Sequence, residues 1–162
     1  MGNYLKNYIS LVNQKNVLIA LTESHLEALK VIESIQPNQE NYCYLEGKWT
    51  IKEVLIHCID TERIFSTRAL SFARGETKPS QSFDENKYAT NSEANLRLLI
   101  DIKEEWVNLR YSTISLFKNF SSKSLLYKGK MPAGEISVND IGLAICGHSL
   151  HHLRIIKDKY LK

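Results

Sequence analysis

Two histidines, His148 and His152, stand four residues apart in the run Gly147-His148-Ser149-Leu150-His151-His152 near the C-terminus. On a helix, residues i and i+4 lie one above the other on the same face, so two imidazoles at this spacing can close on one metal ion. Ile141, Ile145, His148, His152 and Ile155 follow the three-four spacing of a buried helical stripe. Both rings therefore interrupt an apolar seam, where an unpartnered imidazole is costly. His57 lies two turns into another helical pattern, among the apolar neighbours Val54 and Ile64, and can meet the pair from a second helix. Three neutral imidazoles suit Zn²⁺, Ni²⁺, Co²⁺ or Fe²⁺. They leave at least one coordination position for water or substrate, the pattern of a catalytic site and not of a closed structural one. Spacing alone leaves a second reading open, in which each ring is a core histidine bonded to a carbonyl. His151 sits a step off the seam, and a register shift of one residue would exchange it for His152.

The remaining reactive side chains give weaker signals. His25, beside Glu23 and Glu27, reads as a surface histidine. Asp60, three residues after His57, could accept an imidazole N–H and fix its tautomer. The preferred reading of Asp60 and Glu62 is a solvated helix surface, with Arg63 and Arg68 as salt-bridge partners. Cys43, Cys58 and Cys146 are odd in number and form no C-x-x-C pair, so neither a disulfide framework nor a cysteine-based zinc motif follows. Cys58 and Cys146 fall inside helical patterns, where a free thiol acts as a small hydrophobe.

These residues must be positioned by helices, and the periodicity supplies four. The first spans residues 3–35, with Leu5, Tyr8, Ile9, Val12, Ile19, Leu26 and Leu29 at helical spacing, and ends before Pro37. A polar linker over residues 37–48 leads to Thr50 and Glu53, the two halves of a capping box, with Trp49 as the hydrophobic staple. The helix behind this box carries His57 and closes at Gly75. Residues 76–89 form a long connection between the second and third helices. Thr90 and Glu93 make another box, opening a third helix that runs to Phe120. Residues 121–135, with Pro132 and Gly134, form a loop. Ser137 and Asp140 open the last helix, residues 138–160. No strand-period segment of any length competes. The fold class is all-α, a four-helix bundle, with residues 1–162 as one domain.

Length and composition agree. The chain has 162 residues, 43% hydrophobic and 24% charged, with seven glycines and three prolines, too few for the turns of an all-β protein. The formal charge of +3 is mild. The densest basic stretch, Lys118, Lys123, Lys128 and Lys130 around Phe120 and Tyr127, reads as a solvated helix end and loop, so no nucleic-acid partner is expected. No apolar run is long enough to span a membrane, and the N-terminal residues lack the apolar core of a signal peptide. A reduced, cytoplasmic protein without a membrane partner is expected.

The sequence also resembles a known family. Gly47-Lys48-Trp49-Thr50-Ile51-Lys52-Glu53-Val54-Leu55-Ile56-His57, then Asp60-Thr61-Glu62-Arg63, carry a W-[ST]-x-x-E-x-x-x-H block. Arg68-Ala69-Leu70-Ser71-Phe72-Ala73-Arg74-Gly75, Phe83-Asp84-Glu85-Asn86 and Gly134-Glu135-Ile136-Ser137-Val138 follow in order, ending at the G-H-x-x-H-H block of residues 147–152. In these motifs the chain is similar to the DinB/YfiT-like superfamily of metal-dependent enzymes. The resemblance implies a DinB-like four-helix bundle, often dimeric, and carries the family's three-histidine metal site onto His57, His148 and His152. It implies a divalent metal ion, zinc or nickel foremost, and a small-molecule substrate. Characterised relatives include S-transferases that use a low-molecular-weight thiol, bacillithiol or mycothiol; other relatives are named hydrolases without a characterised activity. The expectation is therefore a thiol-dependent transferase or a metal-dependent hydrolase acting on small electrophiles, with a non-catalytic metal-binding or stress-related interaction module as the alternative.

Overall fold

A computed structural model describes residues 2–161. Four long helices form the bundle, joined by shorter elements. Helix α1 (Asn3–Ser10) is followed by α2 (Val17–Ser34), α3 (Ile51–Ala73) and the short α4 (Glu85–Asn91). After a 3-10 turn at Ala94–Leu96 come α5 (Leu99–Lys118), α6 (Ser122–Leu125), the strands β1 (Lys128–Met131) and β2 (Gly134–Ser137), and α7 (Val138–Ile155). A π-helical turn, Ile156–Tyr160, extends α7. Helix α7 packs on α2 and α3, and α5 packs on the same two. The helices consecutive in sequence, α2 with α3 and α5 with α7, therefore face each other across diagonals. Both diagonal connections must cross an end of the bundle, and both are long.

The apolar core falls into two halves. One gathers Leu5, Val17, Leu21, Phe65, Phe72, Phe117, Ile136 and Ile141; the other gathers Val31, Ile32, Ile51, Leu55, Ile59, Trp106, Leu153 and Ile156. Charged groups sit fully inside the bundle with them. Arg110 has no exposed surface and donates from Nε and Nη2 to both oxygens of Glu62 at 2.8–3.2 Å. Its Nη1 donates to the Leu21 carbonyl at 3.0 Å and to Ser24 Oγ at 2.7 Å. The fork geometry that guanidinium and carboxylate share makes such a pair tolerable inside a bundle. Glu62 is thus not on a helix surface with Arg63 or Arg68, as its neighbours in sequence suggest. It ties α3 to α5 and, through Arg110, to α2.

Other expectations need correction. Residues 3–35 are two helices, because Asn16 accepts from the Leu18 and Ile19 amides at 3.0 and 3.3 Å and starts α2 afresh. The Thr90–Glu93 box does not form: Glu93 adopts a left-handed backbone (φ 51°), and α5 begins only at Leu99. Residues 121–135 are not a plain loop, since they hold α6 and the first strand of a hairpin, paired from Lys128↔Ser137 to Met131↔Gly134. The Thr50–Glu53 box is present in both halves, with Glu53 N–H on Thr50 Oγ1 at 3.2 Å and Thr50 N–H on Glu53 Oε2 at 2.7 Å. At α7 only the first half is made, Asp140 N–H to Ser137 Oγ at 3.1 Å. Among the described residues no helix is long and apolar enough to cross a membrane.

Candidate metal centre

The three histidines converge. His57 comes from α3, and His148 and His152 from successive turns of α7. Their ring centroids form a nearly equilateral triangle: 4.8 Å for His57–His148, 4.8 Å for His57–His152 and 4.6 Å for His148–His152. The rings meet edge-on, and His57 Nε2 lies 3.0 Å from His148 Nε2. One nitrogen from each ring lies within 4.8 Å of the others. A tetrahedral ion bound at about 2.05 Å needs donor pairs about 3.4 Å apart. Small side-chain rotations bring this set to that spacing, so the residues present fit a divalent cation. His151 stands outside the triangle, against the Tyr8 ring at 5.4 Å.

The surroundings keep these imidazoles uncharged. His57 and His148 are buried. Burial holds His57 down to about 4, and holds His152 down to about 3 with help from the neighbouring imidazoles. His148 is pushed well below the usual histidine range by burial and then by His152 and His57. Neutral rings each offer a lone pair, the form a metal requires. Aromatic side chains close the site on two sides: Tyr8 of α1 stands edge-on to His148 at 5.2 Å, and Trp49 tilts over His57 at 4.7 Å. Trp49 is itself anchored, its carbonyl accepting from the Tyr160 hydroxyl at 2.7 Å.

Two cavities reach the triangle and share no lining residue. A cavity of about 370 Å³ is lined by Tyr4, Tyr8, His57, Thr61, Phe65, Arg68, Phe83, Glu85 and His148, among others. Another, of about 250 Å³, reaches His152 from the side of Tyr44, Trp49 and Tyr160.

The other candidate residues fall elsewhere. Asp60 faces Arg63 at 3.8 Å and makes no hydrogen bond to an imidazole, so it does not orient His57. His25 is not a surface residue; it is buried against Tyr111 at 5.5 Å, and neither ring nitrogen has a partner among the described residues. Burial pushes the Cys146 thiol up to about 11 and the Cys58 thiol higher still, and neither joins the histidine cluster. Sequence reasoning missed the cavity residues Tyr8, Thr61 and Arg68 as site residues. For Thr61 and Arg68 a signal existed: they repeat the helical face of His57 at four and eleven residues.

Comparisons with known proteins agree with this architecture. Residues 20–156 match the DinB superfamily model. The Oceanobacillus iheyensis protein named "Putative metal-dependent hydrolase OB0413" is 26% identical over 134 residues, covering 79% of this chain and 74% of that protein. The fold superposes on YfiT from Bacillus subtilis, described as a probable metal-dependent hydrolase with an unusual four-helix bundle topology. That match has a TM-score of 0.76 at 18% identity, over 88% of this chain and 82% of the other. It also superposes on the mycothiol-dependent maleylpyruvate isomerase, with a TM-score of 0.71 at 9% identity, over 85% of this chain and 58% of the larger one. A match that runs from α2 to the end of α7 takes in all four long helices and all three converging histidines, and on that extent the chain belongs to the DinB superfamily.

Proposed function

We propose that this protein is a divalent-metal enzyme that transfers a low-molecular-weight thiol to a small electrophile, with His57, His148 and His152 as the metal ligands. The observation that carries the reading is the triangle of neutral imidazoles from two helices, reached by two separate cavities. Three protein donors leave an open side, and two approaches suit a reaction with two substrates. The fold-level likeness to a mycothiol-dependent isomerase adds that a bundle of this shape can serve a thiol-dependent enzyme. A zinc or nickel ion held there supplies Lewis-acid chemistry, lowering the pKa of a thiol or water on its open side.

The chain's own residues supply the rest. Burial keeps the three rings deprotonated, so no proton has to leave before a cation is held. Tyr8, Phe65 and Phe83 give the larger cavity apolar walls, which exclude water and strengthen the field at the reacting atoms. The Tyr8 phenol, its pKa raised by burial and then by Glu85, keeps its proton at neutral pH and adds no charge to the cavity.

Hydrolysis is the second reading, favoured by the names of the Oceanobacillus protein and of YfiT. One set of measurements tests both. Elemental analysis of untagged protein is expected to give one equivalent of metal, lost in His57→Ala, His148→Ala and His152→Ala and kept in His151→Ala. Conjugation of monochlorobimane to bacillithiol is expected to stop with chelator and return with zinc or nickel. Turnover of 4-nitrophenyl acetate without thiol, at a rate that thiol does not raise, would move the assignment to hydrolysis. Full metal retention in all three alanine variants would remove the centre itself.

A further inference from the structure

The larger cavity has a second pole, formed by Arg68. Thr61, Phe65 and Arg68 continue the face of α3 that carries His57, at steps of four, four and three residues. Arg68 lies about 16 Å further along the helix axis than His57. Long helical side chains lean back toward the N-terminus, and the Arg68 guanidinium lies over Phe65, three residues nearer His57 on the same face.

Arg68 is an unusual arginine for this molecule. It is only 8% exposed, yet no carboxylate lies within ion-pair distance among the described residues. The other buried arginine, Arg110, has Glu62; the more exposed Arg63 and Arg97 share Glu105. Arg68 Nη2 donates to the Gln81 carbonyl, the guanidinium lies 5.5 Å from the Phe65 ring centre, and its other N–H groups have no hydrogen-bond partner among the described residues. Glu85 also lines the cavity, but it is exposed at the rim and makes no ion pair with Arg68. Thr61, which also lines the cavity, carries a second unpartnered group. Thr61 is 3% exposed, and its hydroxyl has no hydrogen-bond partner among the described residues. A buried hydroxyl without a partner is costly, and the Arg68 N–H groups left without a partner are within reach of an acceptor that enters the cavity.

We propose that this cavity binds a small carboxylic acid with an apolar or aromatic body, its carboxylate on Arg68 and its far end beside Thr61, His57 and His148. Tyr4, Tyr8, Phe65 and Phe83 supply the apolar walls. The guanidinium fork fits both carboxylate and phosphate. One cation balances one negative charge, and a phosphate dianion would leave a second charge uncompensated among aromatic rings with Glu85 at the rim. The carboxylate is therefore the better match. The substrate class rests on the metal-enzyme reading, because that reading puts the reaction at the histidine end; the binding of the acid does not.

The test uses the full chain after chelator treatment, so that affinity of the acid for a metal ion does not contribute. Calorimetry compares 4-phenylbutyrate with 4-phenyl-1-butanol, and with phenyl phosphate as the dianion. The acid is expected to bind about 10- to 100-fold tighter than the alcohol. Arg68→Gln keeps an N–H for the Gln81 carbonyl while removing the charge; it should bring the acid down to the alcohol's affinity and leave the alcohol unchanged. Arg68→Lys should retain part of the preference. Equal affinities for acid and alcohol in the unaltered protein would overturn the proposal without any variant. So would tighter binding of phenyl phosphate than of the acid, or an Arg68→Gln variant that loses both ligands equally, which would leave Arg68 a fastener of the 76–84 connection. Metal content of the same preparations separates the two claims: acid preference without metal binding sinks the metal-enzyme reading alone, and metal binding without acid preference sinks this one alone.

Discussion

Acidification offers a direct measure of how strongly the bundle excludes protons from its histidines. In the folded chain His57 titrates at about 4, because burial penalises the imidazolium. In the unfolded chain the same ring titrates near 6.5. Below that value the unfolded state takes up a proton that the folded state refuses, so stability falls as pH drops from about 7 toward 4 and levels off only past the folded value. Each pH unit in that window costs about 1.4 kcal/mol per such group. Between pH 7 and pH 5 His57 alone accounts for about 2 kcal/mol, a large share of a typical domain's stability of 5–15 kcal/mol. His148, also buried, and His152 shift the same way and add to it. Urea unfolding of chelator-treated protein at pH 7, 6 and 5 measures the total. Carboxylates contribute to that total as well, so the decisive quantity is the difference between the unaltered chain and His57→Leu. The loss from pH 7 to pH 5 is expected to be smaller in the variant by about 2 kcal/mol. Parallel pH profiles for the two proteins would show that His57 is not held neutral, and the case for a metal-ready triangle would lose its electrostatic half.

Further outcomes follow from the packing. Glu62→Gln or Arg110→Met leaves one charge of a buried pair uncompensated and is expected to cost about 3–5 kcal/mol in denaturant unfolding, whereas Glu62→Leu with Arg110→Met should recover most of that loss. If the double variant were no better than the single ones, the desolvation argument would fail. Gly147→Ala places a Cβ against the Tyr8 carbonyl, where α1 lies on α7. It is expected to lower the melting temperature by displacing α1, at about 1–3 kcal/mol, and to make residues 3–10 more sensitive to protease; an unchanged digestion pattern would show that α1 is held by other contacts.

The histidine pair on α7 was legible because its spacing fell inside an apolar stripe, and that stripe is buried in the structure from Ile141 to His148. His57 was legible for a related reason: the Thr50–Glu53 box marks where its helix starts. What escaped depends on residues far apart in sequence. Glu62 and Arg110 are separated by 48 positions, and nothing beside Glu62 announces a buried partner from another helix. His25 looks solvated between two glutamates, yet Tyr111 of α5 covers it. The hairpin hid in four-residue strands, too short for a period to register, although Gly129 carries a trace of it, since any Cβ there would strike the Phe72 ring. The false box at Thr90 shows the converse. A capping pattern needs a helix to follow it, and at Glu93 the backbone turns left-handed instead.

The true box also bears on the chemistry. Thr50 and His57 are seven residues apart, about two helical turns, and Ser137 and His148 are eleven apart, about three. Each cap therefore lies on the same helix face as the imidazole it precedes, and fixing where the helix begins fixes the direction in which that ring points. At α3 the connection is closer still, because Trp49, one residue before the cap, covers His57. Thr50→Ala removes the hydroxyl from the Glu53 amide and its 2.7 Å contact with Asn95 Oδ1. The expected stability cost is about 1 kcal/mol. Fraying of that first turn lifts Trp49 from the ring and returns water to His57, so its pKa should rise from about 4 toward the ordinary histidine value. A proton NMR titration of chelator-treated protein reads this ring by its C–H signals. If stability falls as expected while the titration of His57 does not move, the cap holds only the helix, and the position of the imidazole is set by packing against α7 alone.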